Sequence, residues 1–145
     1  MKKILEIAIR IAEDAHSGQS DKAGHPYIAH PMRVMNNVSS IEEKIVAILH
    51  DVMEDTAVTA DDLRKAGIPE QLISELEALT HFSDIEYDEY IKHVSLYGVA
   101  STVKLADLKD NMDITRLNEI TDKDIERLRK YHRNYLFLKE NKTNT

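Results

Sequence analysis

The spacing of apolar residues in the first fifteen positions, MKKILEIAIRIAEDA, constrains this chain more than any other feature. Ile4, Leu5, Ala8, Ile11, Ala12 and Ala15 recur at intervals of three and four and draw one stripe along a helix. Later segments repeat that period, and little of the chain alternates at the period of two that a half-buried strand needs. Only four glycines and three prolines punctuate 145 residues. The pattern predicts an all-α, single-domain bundle of roughly seven or eight helices.

Segment by segment, HSGQSDKAGHP breaks the first stripe and reads as a loop. A second helix is expected to start between Tyr27 and Pro31, where a first turn tolerates proline, and to run through Val34 and Val38. Ile41 to about Val52 reads as one central helix, being nearly all apolar at IVAIL. Thr59 or Thr56 can cap ADDLRKA and Gly67 can stop it, and Pro69 opens a helix through Leu79. EYDEYIKHVSLYG should end near Gly98, and VASTVKLADLKDNMDITRL should form a helix of about four turns. TDKD resembles a capping box ahead of a last amphipathic helix, IERLRKYHRNYLFLKE. The domain is expected over 1–140, with 141–145 a frayed tail.

Charge narrows the function. A formal net charge of −7 argues against non-specific binding of DNA or RNA, which needs a basic surface to displace counterions. No apolar run approaches the length of a membrane span, and charge arrives too early for a signal peptide. With no cysteine there is neither disulfide nor thiolate metal site, and a cytoplasmic location is the default expectation. A phosphorylated small molecule remains open as a partner, since a metal or a few lysines can reverse the local sign.

Chemistry concentrates in three places. His50 and Asp51 follow the apolar AIL, which should carry them inward, with Glu54 and Asp55 one turn on. Four titratable groups at the end of an apolar helix are costly to bury, and a divalent cation is the simplest neutraliser. Alone, a His-Asp pair is a common surface or capping motif. Asp107 sits among Val103, Leu105, Ala106 and Leu108, with Asn111 one turn later; a salt bridge to Lys104 would account for it equally well. His30, in the stiff stretch HPYIAHP, could be a capping or core residue. Together, however, His30, His50, Asp51 and Asp107 are two imidazoles and two carboxylates suited to a borderline divalent metal.

These residues resemble the ligand order H…HD…D of the HD-domain metal-dependent phosphohydrolases. HSGQSDKAGHPYIAHP, ILHDVMEDT and VKLADLKDN resemble successive motifs of the RelA/SpoT-type hydrolase domain of the stringent response, which removes the 3′-pyrophosphate of (p)ppGpp. The resemblance spans residues 16 to 111 and implies a stand-alone hydrolase domain of the HD fold. It implies His30, His50, Asp51 and Asp107 as metal ligands, with Mn²⁺ the usual ion and Fe²⁺, Zn²⁺ or Mg²⁺ as alternatives. It further implies Glu54 and Asp55 as the acidic pair that activates water, Lys22 near the substrate phosphates, and Asn111 facing the nucleotide sugar. One position departs from the family: Asp21 stands where an arginine commonly packs on the guanine base, so base specificity stays open.

Two other functions fit the residues. One is a nucleotidase or phosphodiesterase using two metals, for which His81 and His93 are the extra candidates, although both read as solvated histidines. The other is a catalytically silent nucleotide-binding module. The oligomeric state is not legible in the sequence.

Overall fold

The computed structural model describes residues 1–142, and the expected tail at 143–145 lies outside them. Helix α1 spans Lys2–Ala15, α2 Ala29–Asn36, α3 Ile41–Leu49, α4 Val52–Asp55 and α5 Ala60–Ala66. Helix α6 spans Glu70–Leu79, α7 Tyr87–Val94, α8 Gly98–Asn111 and α9 Asp122–Asn141, with a 3₁₀ turn at Ile114–Arg116. Among the described residues the only strand-like pairing is an isolated antiparallel bridge between Ser20 and Pro26, inside the loop expected there. No helix of the described residues is long and apolar enough to cross a membrane.

Helix α3 is the centre of the molecule. Its residues Ile45 to Leu49 are buried, and α1, α2, α6 and α8 pack around it. Ser40 and Glu43 form a capping box at its start, each side chain bonding the other's backbone amide. The stripe of α1 meets this helix through fully buried Ala8 and Ala12, whose small side chains allow close approach. Burying residues of the size of Ile45 and Ile48 contributes roughly 1.5–3 kcal/mol each.

The expected caps of α5 and α9 are present. Thr59 pairs with Asp62, and Gly67 ends α5 at φ 100°, a left-handed conformation that only glycine adopts without strain. TDKD closes as a capping box between Thr121 and Asp124. Other boundaries differ from expectation. Gly98 opens α8 rather than ending α7, and α8 stops at Asn111, because Asp113 accepts from the Thr115 amide and starts the separate 3₁₀ turn. Asn141, assigned to the tail, is the last residue of α9.

The most consequential difference lies at the central helix. Instead of running to Val52, α3 ends at Leu49, His50 and Asp51 form a turn, and α4 follows as a single turn. Asp51 is flattened to φ −104°, ψ −3°. Adjacent side chains of a regular helix diverge by about 100°. The turn brings His50 and Asp51 into one cluster with Nε2 to Oδ2 at 3.1 Å. The one-turn spacing of Asp51 to Asp55 survives, since the Asp55 amide donates to the Asp51 carbonyl at 2.9 Å.

Candidate metal centre

The turn after α3, the start of α2 and the middle of α8 meet at the wall of a cavity of about 610 Å³. That volume suits a nucleotide-sized ligand. His30 is the second residue of α2, with Pro31 beside it in the first turn, where its missing amide costs nothing. His30, His50 and Asp107 are all buried, and one donor atom from each lies within 4.8 Å of the others.

Both imidazoles have Nδ1 engaged and Nε2 turned toward Asp107. The His30 Nδ1 lies 2.6 Å from Asp110 Oδ2, and the His50 Nδ1 lies 2.6 Å from the Ala47 carbonyl. A carbonyl can only accept, so His50 Nδ1 carries a hydrogen, and in the neutral ring Nε2 is a lone pair. Each Nε2 points at the same oxygen: Asp107 Oδ1 is 2.9 Å from that of His30 and 3.4 Å from that of His50. Asp51 Oδ2 adds a second anionic oxygen, 3.1 Å from His50 Nε2 and 3.8 Å from His30 Nε2.

His50 Nε2 is buried and hydrogen-bonded to nothing. Its approaches to Asp51 and Asp107 are close enough for charge attraction but lack hydrogen-bond geometry. A buried lone pair facing two carboxylates is unfavourable unless a proton or a cation intervenes. The metal-free cluster uses protons. Burial depresses both histidines, but the carboxylates outweigh it: His50 is held well above its ordinary pKa by Asp51 and Asp107, and His30 is raised by its bonds to Asp107 and Asp110. Burial pushes the acids up, yet His50 pulls Asp51 down to about 2, and Lys104 with His50 holds Asp107 well below the carboxylate range. The two nitrogens and the Asp107 carboxylate converge closely enough to hold a divalent cation in place of those protons, while Asp51 lies beside that group and outside the three whose donor atoms converge. The residues present fit such an ion.

The surrounding contacts fix these donors. The Tyr27 hydroxyl donates to Asp51 Oδ2. Lys104 donates to Asp107 Oδ2 at 2.8 Å and lies over the rings of Tyr87 and Tyr90, so the salt bridge weighed from the sequence exists alongside the histidine contacts. Asn111 donates to Asp107 Oδ1 at 3.0 Å and lines the cavity. Arg116 is a salt-bridge residue, bonding Asp113 and Asp110.

Glu54 and Asp55 line the same cavity from α4. Glu54 Oε1 accepts from the His81 amide at 2.7 Å, which holds the carboxylate in place. Burial raises both acids above their ordinary values, with Asp51 adding to the effect. Lys22, exposed at the rim, reaches Asp124 of α9 at 3.6 Å. Asp21 organises its own loop, with Oδ1 accepting from the amides of Ala23 and His25 at 2.9 Å each. His81 closes the turn before α7 through Ile85 O at 2.6 Å and stacks on Tyr90, and His93 is exposed beside Tyr97. Neither histidine joins the cluster.

Tyr27, Arg33 and Asp110 escaped the sequence reading. All three lie in or beside the quoted motifs, but their contacts cross 24 to 80 positions and leave no local signal.

No protein-family model matches the chain. Among curated proteins it is 30% identical over 118 residues to a guanosine-3′,5′-bis(diphosphate) 3′-pyrophosphohydrolase of Aquifex aeolicus, covering 75% of this chain and 17% of that protein. It is 42% identical over 59 residues to the protein of that name in Haemophilus influenzae, covering 38% of this chain and 9% of the relative. It is 40% identical over 67 residues to the bifunctional (p)ppGpp synthase/hydrolase SpoT of Escherichia coli, covering 43% of this chain and 10% of the relative. The chain thus spans less than a fifth of the length of these relatives. Among solved structures, a metazoan ortholog of SpoT described as hydrolyzing ppGpp superposes with a TM-score of 0.79 at 22% identity, over 97% of this chain and 88% of the other. In sequence and in fold, the chain is a homologue of the RelA/SpoT-type HD domains.

Proposed function

We propose that His30, His50, Asp51 and Asp107 hold one divalent cation, and that the chain is a metal-dependent phosphohydrolase of a nucleotide. The first candidate reaction is removal of the 3′-pyrophosphate from (p)ppGpp. One observation carries this reading: two buried imidazoles, each with Nδ1 engaged, direct Nε2 at a single oxygen of a buried aspartate. The names of the relatives support the choice of substrate. Mn²⁺ is the proposed ion, since the carboxylate donors suit it and the family that the chain resembles uses it.

A bound divalent cation would supply charge compensation for a phosphoryl oxygen and acidify a water. The chain's own residues do the rest. Glu54, held by the His81 amide and raised by burial, is the group that accepts the proton of the attacking water. Asp55 supports it from the same turn. Lys22 reaches inward from the rim as a point charge for a distal phosphate, exchanging Asp124 for it. Asn111 orients Asp107 and presents its end of α8 to the sugar.

The test incubates Mn²⁺-loaded protein with a panel of nucleotides including (p)ppGpp and identifies the products by chromatography. Release of pyrophosphate from the 3′ position supports the reading. Release of phosphate from other nucleotides alone would move the assignment to a nucleotidase or phosphodiesterase. Tight binding without any cleavage would make the chain a silent module.

A further inference from the structure

Behind His30 lies a cluster that the proposed chemistry does not use. Asp110 accepts from Arg33 twice, Nε to Oδ1 at 2.8 Å and Nη2 to Oδ2 at 3.1 Å. Arg116 Nη2 reaches the same carboxylate at 3.2 Å and the Asp110 carbonyl at 2.8 Å. The Asp110 side chain is only 8% exposed. Two guanidiniums on one carboxylate fix its plane as well as its charge.

The register of the two helices links this clamp to the cluster. Arg33 follows His30 by three residues on α2, and Asp110 follows Asp107 by three on α8. The helices therefore meet in two rungs one turn apart, His30 with Asp107 and Arg33 with Asp110, and His30 also reaches across to Asp110. His50 is aimed differently, since its Nδ1 is fixed by a main-chain carbonyl three residues back on its own helix. The acceptor for His30 Nδ1 is a side chain 80 positions away.

We propose that Asp110, held by Arg33 and Arg116, is a positioning residue of the centre: it accepts the Nδ1 hydrogen of His30 and so aims Nε2 at the cation. The inference rests on the metal-centre reading above. Carboxylates that accept from a metal-bound histidine typically change metal affinity about 10–100-fold when removed. A mere cross-link between α2 and α8 would change stability alone.

Asp110→Ala and Asp110→Asn separate these cases. The measurements are Mn²⁺ affinity by calorimetry at one pH, the ring ¹⁵N shifts of His30 and His50 in metal-free protein, and the melting temperature. We expect Asp110→Ala to bind Mn²⁺ about 10–100-fold more weakly and to shift the ring ¹⁵N signals of His30 but not those of His50. Asp110→Asn, which keeps the volume and one acceptor oxygen, should fall between it and wild type, and carries the test if the alanine variant does not fold. A lowered melting temperature with unchanged Mn²⁺ affinity and unchanged His30 shifts would overturn the proposal while leaving the metal centre intact. Wild-type protein that takes up no Mn²⁺ would overturn the metal-centre reading and the proposal with it.

Discussion

His50 Nε2 lies buried 3.4 Å from Asp107 Oδ1, with no hydrogen bond of its own. The pair joins the turn after α3 to the middle of α8, and Asp107 also meets Lys104 and His30. Asp107→Asn should therefore lose Mn²⁺ binding and hydrolysis together while keeping the fold. Both variants remove the counter-charge of Lys104; asparagine keeps an oxygen that can accept from it, whereas Asp107→Ala keeps none and should in addition destabilise by roughly 3–5 kcal/mol. Calorimetric titration with Mn²⁺ and a denaturant melt check this. Full metal occupancy in the asparagine variant would contradict the ligand assignment.

Protons and metal should compete for the same nitrogens. Both histidines have folded pKa values raised above the unfolded value, so the stability they give the metal-free protein is complete below about pH 6.5 and is lost as pH rises through the folded values. Mn²⁺ affinity should run the other way, rising with pH, with up to about two protons released per ion near neutrality. Titrations in buffers of different ionisation enthalpy measure that release. Affinity independent of pH between 6 and 8 would argue against histidine ligation.

Glu54→Gln should retain Mn²⁺ and lower turnover by about 10²-fold or more, as expected for loss of a general base. Because burial raises the Glu54 pKa, the rising limb of activity against pH in wild type should lie above the ordinary carboxylate range. The variant should lose that limb. A variant with wild-type turnover would remove Glu54 from the chemistry.

Tyr27→Phe deletes the hydroxyl that donates to Asp51 Oδ2. Leaving a buried acceptor short of one donor costs about 1–3 kcal/mol. Metal-free protein should show that loss as a lowered denaturation midpoint, whereas Mn²⁺-loaded protein should show less of it. Equal loss in both states would mean that Tyr27 acts apart from the centre.

Asp21 tests base recognition. Asp21→Arg should improve use of guanine nucleotides relative to other bases if this position sets substrate choice, as measured by kcat/KM across the panel. The substitution also removes the acceptor for the Ala23 and His25 amides, so Asp21→Asn, which keeps an oxygen there, is the control for loop damage. Unchanged base preference in Asp21→Arg would reject the idea.

Much of the fold was legible because local rules settle it. The stripe of α1, the cap at Thr59 (one of two threonines the sequence offered), the capping box at Thr121 and the stop at Gly67 each depend on residues within one or two turns. The break between α3 and α4 was not legible, since IVAILHDV carries no helix breaker. Asp51 leaves regular helix geometry where Tyr27, His30 and His50 contact its carboxylate, and those contacts come from other elements or from the turn itself.

The sequence by itself determined the helical class, the acidic surface and the residue types of the cluster, because period, charge and apolar context are properties of neighbours along the chain. It also brought His50, Asp51 and Asp107 forward as candidates, since ionisable groups inside apolar runs need partners. Only the tertiary structure decided which partners they have. Lys104 and His30 share Asp107, Arg33 and Arg116 share Asp110, and Tyr27 serves Asp51. The physical reason is distance: the energy of a buried charge depends on what lies within a few ångströms, and packing α2 and α8 against α3 sets that across 80 positions of chain.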